Sequence, residues 1–191
     1  MKNQTTQIVI MLILSVAVYA GPLEYISSVN YGAVSGAEVL EDASYASDVV
    51  FNGDYIYVAS GYGGLVTLNI SNPEIPRATS RSLAGNITNL KMKDVYLYAL
   101  DADGQIIVFD ITDPCAPVVA STLNLEYHRL SGFEIGQSID GTPYLYTMKY
   151  SNSLVTMDIS DPISPIITGE SSLRGCEAQK IKQVSDFLAV T

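Results

Sequence analysis

The sequence has no tryptophan, one histidine, two cysteines and only ten basic side chains in 191 residues. Each shortage narrows the functions open to it. With one histidine, any Ser-His-Asp or Cys-His site within the chain would have to be built on His128. That residue lies in Glu126-Tyr127-His128-Arg129, which reads as a solvated loop with no nucleophile motif beside it. Cys-x-x-Cys and Gly-x-Ser-x-Gly are both missing. The glycine-rich stretch Gly61 to Gly64 lacks the following helix and lysine that phosphate binding requires. No catalytic, cofactor-binding or metal-binding residue is therefore assigned, and no cofactor is expected. Ten bases against twenty acids give a net charge of −10, which repels phosphate backbones and anionic lipid. Nucleic acid is thereby excluded as an expected partner. Charged residues make up only 16% and hydrophobic ones 48%, the opposite of a disordered composition.

Long apolar runs are also scarce. The one present, Ile8 to Val18, follows the positive Lys2 and precedes Val18-Tyr19-Ala20, with small residues where a signal peptidase inspects the chain. Residues 1–20 read as a signal peptide cleaved after Ala20. The run is short against the roughly 20 apolar residues of a membrane span, so no membrane insertion is expected after cleavage. No cysteine follows it to take a lipid anchor. The expected location is secreted, extracellular or at the cell surface, with the periplasm as an alternative.

What the sequence does have is a repeat. Tyr55-Ile56-Tyr57 recurs as Tyr96-Leu97-Tyr98 and Tyr144-Leu145-Tyr146. Leu65 to Pro73 reads LVTLNISNP, Ile106 to Pro114 reads IIVFDITDP, and Leu154 to Pro162 reads LVTMDISDP. Three residues further on, each copy has a second proline: Pro76, Pro117 and Pro165. Period-2 alternation within each copy indicates half-buried strands, and the Tyr-x-Tyr run followed by a Gly- or Asn-containing turn is a hairpin signal. The Asx-Pro step ends strand pairing, because proline cannot donate to the ladder and forces its predecessor extended. A short strand precedes each Tyr-x-Tyr run and another follows each second proline. That makes four strands per copy and no helix. Four-stranded units with a period of roughly 40 to 50 residues are the blades of a β-propeller. The predicted fold is all-β, a propeller of four-stranded antiparallel blades with about three and a half blades present, an incomplete ring. Within a partial propeller over residues 21–191, the blades are expected at 43–83, 87–123 and 130–171, with an incomplete fourth at 176–191.

The pattern Tyr-x-Tyr-Val-Ala, Gly-Leu-x-x-x-Asx-Ile-Ser-Asx-Pro-x-x-Pro resembles the LVIVD repeat, most closely in the first copy. The resemblance implies a propeller domain of secreted and cell-surface proteins, without a general catalytic motif. Copies two and three depart from it at Asp101 to Gln105 and Lys149 to Ser153, which replace the Gly-rich turn. At the ends, PLEYISSVN at 22–30 resembles the outer strand of a closing blade. DFLAVT at 186–191 aligns with Asp54 to Ala59, in the middle of a blade, so the sequence is expected to be a fragment of a longer propeller.

Several side chains invite a chemical role and also have a plainer one. Asn69, Asp110 and Asp158 share one repeat position, and Asn72, Asp113 and Asp161 another. They are expected to bond nearby backbone N–H groups where the ladder ends, rather than to hold Ca²⁺. Asp101-Ala102-Asp103-Gly104 resembles the start of a calcium loop, but Thr112 stands where its closing glutamate belongs, so an ordinary hairpin turn is expected. Cys115 and Cys176 fall on opposite rims of the predicted fold and are expected as free thiols. The Tyr-x-Tyr tyrosines are expected to fill space between blades. Asn86-Ile87-Thr88 is a better glycosylation pattern than Asn69-Ile70-Ser71, since Asn69 is needed by its turn. The expected function is a non-catalytic secreted or cell-surface module presenting loops to an extracellular protein or glycan. The alternative is a hydrolase or lyase with its site at the central channel.

Overall fold

The middle strands of the units are apolar on both faces, and the molecule buries those faces between neighbouring units. The computed structural model describes residues 46–125, 130–149, 153–173, 181–184 and 187–190. The expected signal peptide, the 22–30 strand, His128 and Cys176 lie outside the described residues. The first unit comprises β1 (Asp48–Asn52), β2 (Tyr55–Ala59), β3 (Leu65–Asn69) and β4 (Arg77–Ser82). The second comprises β5 (Ile87–Lys93), β6 (Tyr96–Asp101), β7 (Gln105–Asp110) and β8 (Val118–Asn124). The third comprises β9 (Leu130–Gln137), β10 (Pro143–Lys149), β11 (Ser153–Asp158) and β12 (Ile166–Ser172). A two-stranded sheet follows, β13 (Ile181–Val184) and β14 (Phe187–Val190). Each four-stranded sheet is an antiparallel meander in sequence order. No helix occurs among the described residues.

The same register recurs in all three units. Val50, Lys91 and Glu134 on the first strands lie opposite Tyr57, Tyr98 and Tyr146 on the second. First strands adjoin in the order β1, β5, β9, β13, which makes them the inner strands of a radial array, with β4, β8 and β12 outside. Three clusters carry the core, two of them at interfaces between units and the third, around Ile56, Val58, Val66 and Leu68, on the first unit's other face. Tyr57, Ala59 and Leu65 of the first unit pack with Leu97, Ile107 and Phe109 of the second. Tyr98, Leu100, Ile106 and Val108 on the second unit's other face pack with Phe133, Leu145, Val155 and Met157 of the third. Burying a large aliphatic or aromatic side chain contributes about 1.5–3 kcal/mol, so these rows dominate the stability.

Two of the Tyr-x-Tyr tyrosines fill the space between units as expected. Tyr57 and Tyr98 are fully buried between units. The Tyr57 hydroxyl donates to the Pro114 carbonyl of the next unit at 3.1 Å and accepts from the Asn52 amide at 3.3 Å. Burial pushes the Tyr98 phenol up to about 12, aided by nearby Tyr96, Asp94 and Asp161. Units are also joined through the backbone. Gly61 and Ile87 exchange both N–H···O bonds, at 2.9 and 3.0 Å, across the boundary between the first two.

The outer strands share a feature that the repeat pattern did not reveal. The pairing of third and fourth strands slips after Thr67, Val108 and Thr156, leaving Thr79, Ala120 and Thr168 opposite no partner. The three slips occupy one repeat position. A bulge there bends and twists the exposed edge, which hinders pairing with another chain.

Candidate recognition rim and channel-side cleft

All the turns between first and second strands, and between third and fourth, emerge on one rim. The Ile70, Ile111 and Ile159 amides donate to the carbonyls of Asp54, Val95 and Pro143 at 2.7, 2.9 and 3.1 Å, tying the two sets of turns together. Their architecture comes from the Asx residues. The Ser71, Thr112 and Ser160 amides donate to Oδ1 of Asn69, Asp110 and Asp158 at 2.9, 2.8 and 2.7 Å. The Glu74, Cys115 and Ile163 amides donate likewise to Asn72, Asp113 and Asp161 at 3.0, 3.1 and 3.2 Å. Each turn thus satisfies its own backbone where the proline ends the ladder, as the spacing predicts. The Thr112 hydroxyl and amide hold the Asp110 carboxyl below its ordinary value, and Ser160 does the same for Asp158.

Between the two prolines of each turn stand Glu74-Ile75, Cys115-Ala116 and Ile163-Ser164. All are exposed except half-buried Cys115. Cys115 is a free thiol, and the adjoining Asp113 carboxylate raises its pKa, so it is not an activated nucleophile. No lysine or arginine stands in the segments 53–54, 70–76, 94–95, 110–117, 138–142 or 158–165, so this rim is acidic.

The opposite rim holds the remaining sequence candidates. Asp101 is buried and its Oδ1 accepts from the Asp103 and Gln105 amides at 3.0 and 2.8 Å. Burial raises its pKa, and the Gln105 amide opposes that shift. It organises a hairpin turn. The equivalent positions in the other units are Ser60 and Lys149, also buried, and Lys149 pairs with Glu170 at 2.6 Å. Asn86 is half-buried with its Oδ1 enclosed, and Thr88 donates to the Leu100 carbonyl at 3.2 Å.

On the channel side, carboxylates occupy the unpaired edges of the inner strands. Asp48 accepts from the Val49 and Leu90 amides, both at 2.8 Å, joining β1 to β5. Glu134 accepts the Ile135 amide at 3.2 Å through Oε1 and Lys91 Nζ at 3.1 Å through Oε2, joining β5 to β9. Beside this pair, where β5 and β9 approach the acidic rim, lies a cleft of about 330 Å³. Lys91, Met92, Lys93, Glu134, Ile135, Gly136 and Gln137 line it. Lys93 pairs with Asp94 at 3.2 Å. The repeat did not point to this cleft, because the inner strands are where the three copies differ most. A residue signal existed in Lys91 and Lys93, two of ten bases placed two residues apart on one strand.

Meandering four-stranded sheets, set side by side with their first strands innermost, define this protein as a β-propeller structure. The LVIVD-repeat model matches residues 43–81, 84–124 and 142–171, more than half of the sequence. The chain belongs to the LVIVD-repeat family. Among solved structures it resembles the periplasmic gluconolactonase PpgL of Pseudomonas aeruginosa, at 15% identity and a TM-score of 0.62 over 86% of this chain and 51% of that one. It resembles Sqt1 of Saccharomyces cerevisiae at 10% identity and a TM-score of 0.60, covering 73% of this chain and 39% of that one. BamB of Moraxella catarrhalis matches at 14% identity and a TM-score of 0.56, covering 74% and 39%. At such identities the likeness concerns the fold alone, and the chain spans only about two fifths to one half of these structures. No curated protein matches it by sequence.

Proposed function

We propose that this protein is a non-catalytic, exported interaction module that presents the turns of its acidic rim to an extracellular protein or glycan. One observation carries the reading: the rim turns combine an invariant frame with variable, exposed tips. Asx residues and prolines fix each backbone identically, while the tips differ from turn to turn as Glu74-Ile75, Cys115-Ala116 and Ile163-Ser164. Stiff turns bind with less ordering cost than mobile loops, and variation confined to tips is how a repeat scaffold acquires specificity. Exposed Ile75 and Ile163 provide apolar anchors inside a polar, acidic surround. The inner-strand carboxylates Asp48 and Glu134 are engaged with backbone amides and Lys91, which supports a structural role for them over a hydrolytic one.

Export is supported by the residues of the 1–20 segment. The test is an array of extracellular glycans and envelope proteins, probed with the full chain and with an Ile75→Asp/Ile163→Asp variant. Wild-type binding to a defined array member that the folded variant loses is the expected result. Identical binding by both would remove the rim as the recognition face.

A further inference from the structure

We propose that the cleft between β5 and β9 binds a sugar acid: one polyhydroxylated ring carrying a carboxylate. This goes beyond the rim and does not depend on it. The cleft is lined by two lysines on a chain of net charge −10. Lys91 gives one of its three donors to Glu134, whose other oxygen is held by the Ile135 amide. That acid is therefore fixed in place, with lone pairs left to accept from sugar hydroxyls. Lys93 is bound only loosely. Its partner Asp94 is the next residue in sequence and 76% exposed, and such pairs contribute little. A ligand carboxylate can displace Asp94 at small cost and gain a charge-assisted bond.

The other walls fit the rest of such a ligand. The Gln137 side chain makes no hydrogen bond among the described residues, and its amide offers both a donor and an acceptor to vicinal hydroxyls. Partly buried Ile135 supplies apolar surface for the C–H face of a ring. A volume near 330 Å³ is at the small end of ligand pockets, which suits a single ring rather than an extended chain. The surrounding acidic rim repels anions in general, so affinity must come from contacts inside the cleft.

The experiment is amide chemical-shift titration of the full chain with D-galacturonate, D-galactose and acetate as probes. Saturable shifts confined to Lys91–Lys93 and Glu134–Gln137 are expected with galacturonate, with galactose and acetate at least about tenfold weaker. Lys93→Gln should weaken galacturonate about tenfold, and Gln137→Ala by a smaller factor. Both substitutions are at the surface, and unchanged shifts elsewhere report an intact fold. Should Lys93→Gln fail to fold, Gln137→Ala carries the same comparison. The Ile75→Asp/Ile163→Asp variant should bind galacturonate as the wild type does, which separates this site from the rim. Absence of saturation, full affinity in Lys93→Gln and Gln137→Ala, or equal affinity for acetate or galactose would overturn the proposal.

Discussion

At Gly64 the chain passes from the first unit's second turn into β3 with φ at +72°, and a Cβ there would stand 1.9 Å from the Ser82 carbonyl oxygen. Gly53 also has a positive φ, +57°, but a Cβ would meet nothing within 4 Å. The two glycines separate backbone strain from collision. Gly53→Ala should cost about 1 kcal/mol, the strain of a left-handed residue alone. Gly64→Ala adds displacement of the β4 backbone, for a total of about 3 kcal/mol or more. Urea denaturation midpoints of the two variants would measure the difference. Equal losses would mean that Ser82 yields freely, and that the close approach has no energetic consequence. Similar chemistry explains why Gly61–Gly64 is glycine-rich without any phosphate: Gly61 approaches Ile87 of the next unit through two backbone bonds.

The turn between third and fourth strands occurs three times with one natural substitution, Asn69 where the other units have Asp110 and Asp158. Both carboxyls are held below their ordinary value by the hydroxyl and amide two residues on. A carboxyl with a depressed folded pKa adds stability above its unfolded pKa, near 4, and that stability is lost as pH falls through the folded value. Asparagine offers the same Oδ1 acceptor without titrating. Asp110→Asn/Asp158→Asn should therefore match the wild type near neutrality and lose less of its thermal midpoint on acidification. Alanine at the same positions should be less stable even at neutral pH. An Asn variant with an undiminished acid loss would show that these turns do not contribute to the pH response.

These turns were also the most legible element in the sequence, because proline and Asx act locally and leave a fixed spacing. The Tyr-x-Tyr rows were legible for a related reason: period 2 on a buried strand admits few alternatives. The outer-strand bulges were not, since one unpaired residue changes no spacing that repeats. The cleft was least legible of all. Lys91 and Glu134 differ in charge and lie 43 residues apart, yet the register puts both opposite the second tyrosine of their units. Only the side-by-side packing of β5 and β9 turns two unlike residues into one site.

Across the molecule the strands are unequally supported, and among the described residues the main contacts run between neighbouring units. β6 and β7 of the second unit are covered on both faces, by Leu97, Ala99, Ile107 and Phe109 towards the first unit and Tyr98, Leu100, Ile106 and Val108 towards the third. β8 and β12, by contrast, expose Val118, Val119, Ile166 and Ile167 on the outside. In a nearest-neighbour stack, stability adds up from unit and interface terms, and strands buried on both faces open last. Native-state hydrogen exchange should be slowest in β2, β3, β6 and β7 and fastest along β4, β8 and β12, above all at the bulged Thr79, Ala120 and Thr168. Leu97→Ala, which opens a cavity in the first interface, should cost about 2–5 kcal/mol. It should speed exchange in β2 and β6 together while leaving β11 closer to its original rate. Uniform acceleration through all three units would instead mean that the array unfolds as one cooperative block, with interfaces too strong to open separately.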